Sequence, residues 1–258
     1  MKKILVTCLF ACLPVFAHAA GGSVHLESAD INLENKNSLR NGAKLFMNYC
    51  LSCHSASSQR YNRMAKDLGL TKEQVEQNMM FVANFENLEE GEPGKIGDLM
   101  NIAMTTKDAK NWFGTAVPDL TVVERSRAQL LGASGADWLY TYMISFYIDE
   151  SRPFGVNNTV FPNVGMPHVL WELEGLKKKV TVKDEDGHET TKFVQVTEGK
   201  MTPAEYKQNM KDLVNFMTYM AEPIRIERQR TGIFVMFFLV IFFIIAYLLK
   251  KEYWKDVH

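Results

Sequence analysis

The sequence predicts a mainly α-helical protein with long loops, a small β-hairpin insertion and one transmembrane helix near its C terminus. Three observations predict this class: apolar residues recur at helical spacing in several segments, one segment alternates apolar with polar residues, and 18 uncharged residues precede the C-terminal tail. The 258-residue chain has a formal net charge of −1. Because such a chain has no basic excess to neutralise phosphates, we do not expect it to bind nucleic acid.

The N terminus has the three parts of a secretory signal peptide. Lys2 and Lys3 form its positive start, residues 4–17 are an apolar core, and Ala17-His18-Ala19 supplies the small residues of a cleavage site. The alternative is an uncleaved membrane anchor, but the apolar core is short for a span, which needs about 20 residues. We therefore predict that residues 1–19 are removed, leaving 27 basic against 30 acidic residues.

A second apolar segment, residues 232–249, is predicted to cross a membrane. A helix of these 18 uncharged residues covers about 27 Å of bilayer. Basic residues flank it on both sides and aromatic residues stand near its C-terminal end, as in an interfacial belt: Arg228, Arg230, Lys250, Lys251, Tyr247, Tyr253 and Trp254. A buried core helix would rarely be so apolar on every face. We predict an anchor over residues 229–250 and, because the leader exports the body, a cytoplasmic tail over residues 251–258.

The exported body, residues 20–228, alternates helical segments with loops. Periodicity predicts helices over residues 38–49, 72–85 and 136–149. Between the second and third helices lies a loop over residues 85–97 that is rich in acid, with Glu86, Glu89, Glu90 and Glu92.

Residues 179–196 carry the strongest strand signal in the chain. Val180 and Val182 alternate with polar residues, Asp186-Gly187 offers a tight turn, and apolar residues resume at Phe193. We predict a small hairpin inserted into the helical body.

Thr202 begins the last helix of the body. Thr202 is the predicted N-cap, Pro203 stands at the first helical position, and Glu205 completes a capping box. An apolar stripe follows at helical spacing: Tyr206, Met210, Leu213, Phe216, Met217 and Met220. Pro223 is predicted to end the helix.

Cysteine usage indicates a covalently bound cofactor. Cys8 and Cys12 lie in the leader, so the mature chain keeps only the cysteines of Cys50-Leu-Ser-Cys53-His54. This CxxCH motif attaches a haem c, since each thiol adds to one vinyl group and the adjacent histidine reaches the iron. A zinc site would need four ligands, and a thioredoxin-like dithiol would need a strand–helix context. We predict a cytochrome c-like domain with one covalent haem and His54 as an axial ligand.

The residues alone leave the sixth iron ligand open. A low-spin electron carrier takes a second axial ligand, most often methionine or histidine. Met166 lies between Gly165 and Pro167 in an irregular segment, and such a rigid backbone suits a loop ligand. Methionines on the last helix are interpreted as core, because methionine fills irregular gaps well. The competitors that remain are Met79, Met80, Met100, Met104 and His168.

Beyond the haem motif, four further segments follow in a recognisable order. They are Tyr61, Pro118-Asp119-Leu120 with Arg125 and Arg127, residues 161–167, and residues 219–223 before the single apolar span. In this order they resemble the cytochrome c1 family, the haem subunits of the bacterial ubiquinol–cytochrome c reductase (cytochrome bc1) complex. The resemblance covers nearly the whole mature chain, although the hairpin over residues 179–196 departs from mitochondrial members.

The resemblance implies roles for individual residues. Met166 would be the sixth iron ligand, Arg127 would lie near a haem propionate, and Pro118 to Leu120 would shape the haem crevice. A buried propionate needs a paired cation, which is the physical reason for the arginine. The alternative for Arg127 is a solvated helix residue.

The resemblance also implies a function and partners. The chain would pass single electrons from a Rieske iron–sulfur protein to a soluble c-type cytochrome, beside cytochrome b in a dimeric complex. The haem domain would lie in the periplasm, anchored in the bacterial inner membrane. The chain would not be an enzyme on its own but a redox subunit of a quinol–cytochrome c oxidoreductase. The loop over residues 86–92 would be either an acidic docking face for a basic acceptor or an ordinary solvated loop.

Two alternative functions stay open. The chain could be the haem subunit of another membrane redox complex, such as a terminal oxidase, with the same chemistry and different partners. It could also be a haem enzyme or gas sensor with an open sixth site, which gains weight if Met166 does not bind the iron.

Overall fold

The computed structural model describes residues 25–81, 94–131, 134–183 and 189–255. The predicted signal peptide, the acidic residues of the 86–92 loop and the Asp186-Gly187 turn lie outside the described residues. The helices are α1 (Lys36–Leu45), α2 (Tyr61–Leu68), α3 (Lys72–Asn78), α4 (Thr106–Phe113), α5 (Val123–Leu131), α6 (Gly135–Met143), α7 (Trp171–Glu174), α8 (Pro203–Ala221) and α9 (Arg225–Tyr253). The strands are β1 (Ala56–Arg60), β2 (Leu99–Met100), β3 (Phe146–Ile148), β4 (Val156–Asn158), β5 (Lys177–Lys183) and β6 (Glu189–Gln195). The predicted mainly α-helical class is confirmed.

The core is organised around the packing of α1 against α8. The two backbones approach so closely that a Cβ at Gly42 would lie 2.0 Å from the carbonyl oxygen of Asp212, so only glycine fits there. Next to this contact, the rings of Phe46 and Phe216 lie 5.7 Å apart. The apolar stripe predicted for α8 is buried along its whole length.

The predicted capping box at the start of α8 is confirmed. The Glu205 amide donates to Thr202 Oγ1 at 3.3 Å, and the Thr202 amide donates to Glu205 Oε2 at 2.9 Å. These two bonds satisfy backbone donors that have no partner within the first helical turn. The box therefore fixes where α8 begins.

The helix predicted over residues 38–49 forms, but its last turn is widened. After α1, residues Phe46–Cys50 form a π-helical turn in which the Leu51 amide donates to the Phe46 carbonyl at 3.0 Å. Such turns are rare and often occur at functional sites. Here the π turn ends at Cys50, the first residue of the predicted haem motif.

Two predicted helices are shorter than expected. The helix predicted over residues 72–85 ends at Asn78, and residues 82–85 lie outside the described residues. Only Val75 is buried within this helix, so little packing supports further turns. The helix predicted over residues 136–149 ends at Met143, and β3 follows it. Phe146, Tyr147 and Ile148 favour an extended conformation, and pairing with β4 gives their backbone groups the partners a helix would have supplied.

The predicted hairpin is confirmed as β5 and β6. It is not isolated, however, because β5 also pairs in parallel with β3 through Ile148 and Lys178. The resulting four-stranded sheet has the order β4-β3-β5-β6. The hairpin is therefore joined to the strand that follows α6.

Helix α9 contains the predicted membrane anchor. It has 29 residues, and none of its most apolar 18-residue window is buried within the described chain. At 1.5 Å per residue, it is about 44 Å long, more than the hydrocarbon core of a bilayer. Its length and composition suit a transmembrane helix. Just before it, Glu222 accepts a hydrogen bond from Arg228 Nη2 at 2.9 Å and lies 3.6 Å from Arg125.

Candidate haem site

One cavity in the helical body brings all the predicted site residues together. Its volume is about 300 Å³, within the range of cofactor sites. The walls come mainly from the haem motif, the segment after α4, helices α5 and α6, and the loop before α7, and Met217 of α8 also lines the cavity. Six predicted residues line it: Cys50, Cys53, His54, Pro118, Arg127 and Met166.

The haem motif forms one wall, which we call the proximal wall. After the π turn, the amides of Cys53 and His54 donate to the Cys50 carbonyl at 3.1 and 2.9 Å, which coils the motif into a tight turn. Cys50 is buried and Cys53 is half-buried. Burial, with a smaller contribution from Cys53, raises the pKa of Cys50 to about 12. This environment disfavours a thiolate and is compatible with the neutral sulfur of a thioether.

The imidazole of His54 is oriented by a backbone carbonyl. Nδ1 lies 2.8 Å from the carbonyl oxygen of Pro118, which can only accept, so Nδ1 carries the proton and Nε2 keeps its lone pair. Burial lowers the pKa of His54, although the bond to Pro118 and the charge of Asp119 oppose that shift. A neutral imidazole with a fixed tautomer is the form that binds a metal.

Asp119 ties the Pro118 segment to the residues that follow the haem motif. Its Oδ2 accepts from Ser55 Oγ and from the Ser57 amide, each at 2.8 Å, and its Oδ1 accepts from the Thr121 amide at 2.8 Å. Burial alone would raise the pKa of Asp119, but the hydrogen bonds from Ser57 and Thr121 outweigh it and lower the pKa to about 2. We call this set of bonds the Asp119 clamp. It holds the Pro118 carbonyl against the ring of His54.

A second part of the lining, which we call the distal wall, contains Met166. The Tyr142 hydroxyl on α6 donates a hydrogen bond to Met166 Sδ at 3.3 Å. Burial raises the pKa of Tyr142, with Arg127 opposing, so the hydroxyl stays protonated and available as a donor. The sequence pattern gives Tyr142 no role beyond its place in the helix predicted over residues 136–149. No local pattern could have found the contact, because it joins residues 24 positions apart.

Arg127 lies between aromatic rings on the distal wall. Its guanidinium carbon is 4.2 Å from the centroid of Trp138 and 5.1 Å from that of Phe161. Trp138 in turn stacks on Tyr142, with ring centroids 5.2 Å apart. Within the described ranges no carboxylate pairs with Arg127. A cation therefore faces an apolar cavity with its charge uncompensated by the described chain.

The candidate sixth ligands differ in whether they line the cavity. Four methionines and His168 do not line the cavity, and His168 is buried with its ring stacked on Phe146 at 4.8 Å. Met143 and Met217 do line it, and both are held within helices. Met166 is the lining methionine that lies on a loop and accepts a hydroxyl hydrogen bond. The four methionines outside the cavity are Met79, Met80, Met100 and Met104.

The residues present fit a covalently bound haem. Among the described residues, two thiols, a neutral imidazole, a methionine sulfur and one cation line a mostly apolar space. In the part of the chain that the structure describes, no group of three or more His, Cys, Asp or Glu side chains could hold a metal ion.

Comparisons with known proteins show which family the chain resembles. The sequence profile of the Cytochrome C1 family matches residues 31–257. The chain is 48% identical to the cytochrome c1 of Allochromatium vinosum over the full length of both chains. It is 41% identical to a Nitrosomonas europaea protein named ammonia monooxygenase gamma subunit, across 100% of this chain and 99% of that one. The mitochondrial cytochrome c1 heme protein of Neurospora crassa is 27% identical, over 84% of this chain and 61% of its own. On this profile and this full-length similarity, the chain belongs to the cytochrome c1 family, whose cofactor is haem c.

Proposed function

We propose that this chain is the haem subunit of a cytochrome bc1 complex and passes single electrons from a Rieske iron–sulfur protein to a soluble c-type cytochrome. The observation that carries the proposal is that His54 and Met166 line one cavity together with both thiols of the motif. Membership of the cytochrome c1 family supports the assignment to that complex.

In this proposal the predicted site residues have distinct tasks. Cys50 and Cys53 would hold the haem through thioethers, and His54 and Met166 would be the two protein ligands of its iron. The bound haem supplies a one-electron couple between Fe(III) and Fe(II). The Pro118 carbonyl fixes the tautomer of His54, and the apolar walls exclude water. A methionine ligand in a buried site favours the reduced state and raises the potential, which suits a late electron carrier.

We assign Arg127 to a haem propionate. Stacking on Trp138 holds the planar guanidinium, and no carboxylate of the described chain competes for its charge. An arginine can bind a carboxylate through two parallel hydrogen bonds, which a lysine cannot reproduce. A propionate would supply the counter-charge that this partly buried cation lacks.

Helix α9 supplies the anchor of the proposed complex. With the predicted leader directing export, the haem domain would lie in the periplasm, and residues 251–258 in the cytoplasm. Cytochrome b and the Rieske protein are the proposed partners in the bacterial inner membrane, in a dimeric assembly. Lipid would cover the apolar faces of α9 that the described chain leaves exposed.

The first test is the optical spectrum of the detergent-extracted holoprotein and of a Met166→Leu variant. We expect the oxidised parent to show the weak sulfur-to-iron charge-transfer band, and the variant to lose it together with a potential lower by about 100 mV or more. Met217→Leu is the matched control, since Met217 also lines the cavity but lies in α8. A high-spin parent would instead favour a haem enzyme or sensor with an open sixth site.

A second candidate function comes from the Nitrosomonas relative, whose name makes it a subunit of an ammonia monooxygenase. That name favours the alternative hypothesis that this chain is the haem subunit of another membrane redox complex. Purification of the tagged chain in mild detergent, followed by mass spectrometry, distinguishes the two. Recovery of cytochrome b and a Rieske protein supports the bc1 assignment, and recovery of monooxygenase subunits without them contradicts it.

A further inference from the structure

Behind the Met166 loop lies a buried group of three side chains, His168, Glu174 and Lys177, which we call the buried triad. We propose that the buried triad is a positioning device that ties the Met166 loop to the β5–β6 hairpin and so holds the methionine sulfur in the cavity. The inference rests on the proposed role of Met166 as an iron ligand. It gives the hairpin, an insertion without an evident role in the sequence, a task at the haem site.

The members of the triad are in contact and largely shielded from solvent. Their side chains are 5% (His168), 8% (Glu174) and 13% (Lys177) exposed. Glu174 Oε2 lies 3.0 Å from His168 Nε2, and Glu174 Oε1 accepts a hydrogen bond from Lys177 Nζ. Lys177 Nζ also donates to the Ile144 carbonyl at 2.7 Å, at the junction between α6 and β3.

Burying such a group costs free energy, so we expect it to have a role that apolar residues could not fill. Moving charges out of water carries a penalty of several kcal/mol per ion, and buried ion pairs often add little net stability. Neither Nε2 of His168 nor Oε2 of Glu174 makes an aligned hydrogen bond in the described chain, so each depends on the other for compensation. Fixing one relative arrangement of segments is the best-attested use of buried polar groups.

The triad connects three elements that meet beside the distal wall. His168 is two residues after Met166, and its ring lies flat on Phe146 of β3, with centroids 4.8 Å apart and planes 4° apart. Glu174 ends α7 and Lys177 begins β5. A change in the position of Glu174 relative to His168 would therefore be passed directly to the loop that carries the methionine.

The end of the hairpin and the segment that follows it are bonded to α7. Gln195 Nε2, at the end of β6, donates to the Glu174 carbonyl at 2.8 Å, and the Met201 amide donates to the Leu173 carbonyl at 3.1 Å. Gly175 has a φ of +81°, and a Cβ there would lie 2.1 Å from the Thr197 carbonyl oxygen. The backbone segments around Gly175 and Thr197 are therefore in direct contact. Helix α7 is thus bonded to the hairpin on one side and joined through Glu174 to the Met166 loop on the other.

The test is the affinity of the oxidised, detergent-extracted holoprotein for added imidazole, which competes with the methionine for the sixth position. We expect Glu174→Gln to bind imidazole about tenfold more tightly than the parent, because a loosened loop releases the sulfur more readily. Glu172→Gln is the matched control. Glu172 lies on the same short helix and pairs with Lys200 at 2.6 Å, but both side chains are exposed, at 51% and 71%. A purely structural role would lower the melting temperature without changing this affinity in the folded protein.

Each outcome decides between the two proposals. If Glu174→Gln binds imidazole within twofold of Glu172→Gln, while Met166→Leu loses the sulfur–iron band, this inference is wrong and the ligand assignment stands. If Met166→Leu keeps the band, the ligand assignment fails and this inference fails with it. Should Glu174→Gln not accumulate as holoprotein, Lys177→Met supplies the same measurement, since it keeps the apolar stem and removes the charge. Tighter imidazole binding then supports the inference, and unchanged binding overturns it.

Discussion

The two walls of the cavity are built in different ways. The proximal wall comes from one contiguous segment, Cys50 to His54, coiled by its own backbone hydrogen bonds. The distal wall is assembled from α5, α6 and the loop before α7, which contribute Arg127, Tyr142 and Met166. This difference separates two tasks: attachment of the haem depends on local spacing, whereas the ligand field and charge around the iron depend on tertiary packing.

Removing the two thiols of the proximal wall is expected to have the largest effect and to distinguish the roles of the two walls most clearly. We expect a Cys50→Ala, Cys53→Ala double variant to lose all covalently held haem, because no other cysteine remains in the predicted mature chain. Met166→Leu should keep its haem fully attached. Haem-dependent peroxidase staining after denaturing electrophoresis measures both. Covalent haem in the double variant, or loss of covalent haem from Met166→Leu, would contradict the assignment of haem attachment to the proximal wall alone.

A smaller effect is expected from the hydrogen bond on the distal wall. Tyr142→Phe removes the donor to Met166 Sδ, which leaves the sulfur more electron-rich and stabilises Fe(III). A bond of about 1 kcal/mol corresponds to a potential lower by about 40 mV for one electron. Spectroelectrochemical titration measures the shift. Tyr140→Phe is the control, since Tyr140 lies on the same helix but does not line the cavity; equal shifts in the two variants would contradict a specific bond to sulfur.

The smallest effect is expected at the Asp119 clamp. Through this clamp the proximal wall also depends on tertiary contacts. Hydrogen bonds lower the pKa of Asp119 from 3.8 to about 2, so the ionised carboxylate stabilises the folded state above pH 3.8 and loses this effect as the pH falls toward 2. Because the side chain is exposed, we expect Asp119→Asn to cost about 0.5 to 1 kcal/mol at pH 7 after screening.

Denaturant unfolding of parent and Asp119→Asn at several pH values tests this clamp. The difference in the free energy of unfolding should be constant between pH 5 and 7 and shrink below pH 4. A difference that grows as the pH falls would show that the carboxylate is not the stabilising form. The position of the His54 ring, followed by the electron paramagnetic resonance of the oxidised haem, should also shift in the variant.

Local chemistry explains which parts of the fold were predictable. The capping box of Thr202 and Glu205, the alternation of Val180 and Val182, and the apolar run within α9 each depend on neighbours a few residues away. The helix expected over residues 136–149 failed for the opposite reason. Its second half pairs with β4, and a sequence window centred on Phe146 contains no information about that partner.

The same distinction applies to the site. The sequence by itself determined the haem motif, because two thiols and a histidine must be adjacent to act on one cofactor. It also indicated Met166, through the rigid segment around it, whereas Arg127 and Pro118 were indicated only by the order of segments along the chain. Only the tertiary structure decided that Tyr142 reaches Met166 Sδ, that Asp119 holds the Pro118 segment, and that His168 faces Glu174 rather than the cavity. The physical reason is that these contacts join separate elements, and their distances are set by how helices and strands pack rather than by spacing along the chain.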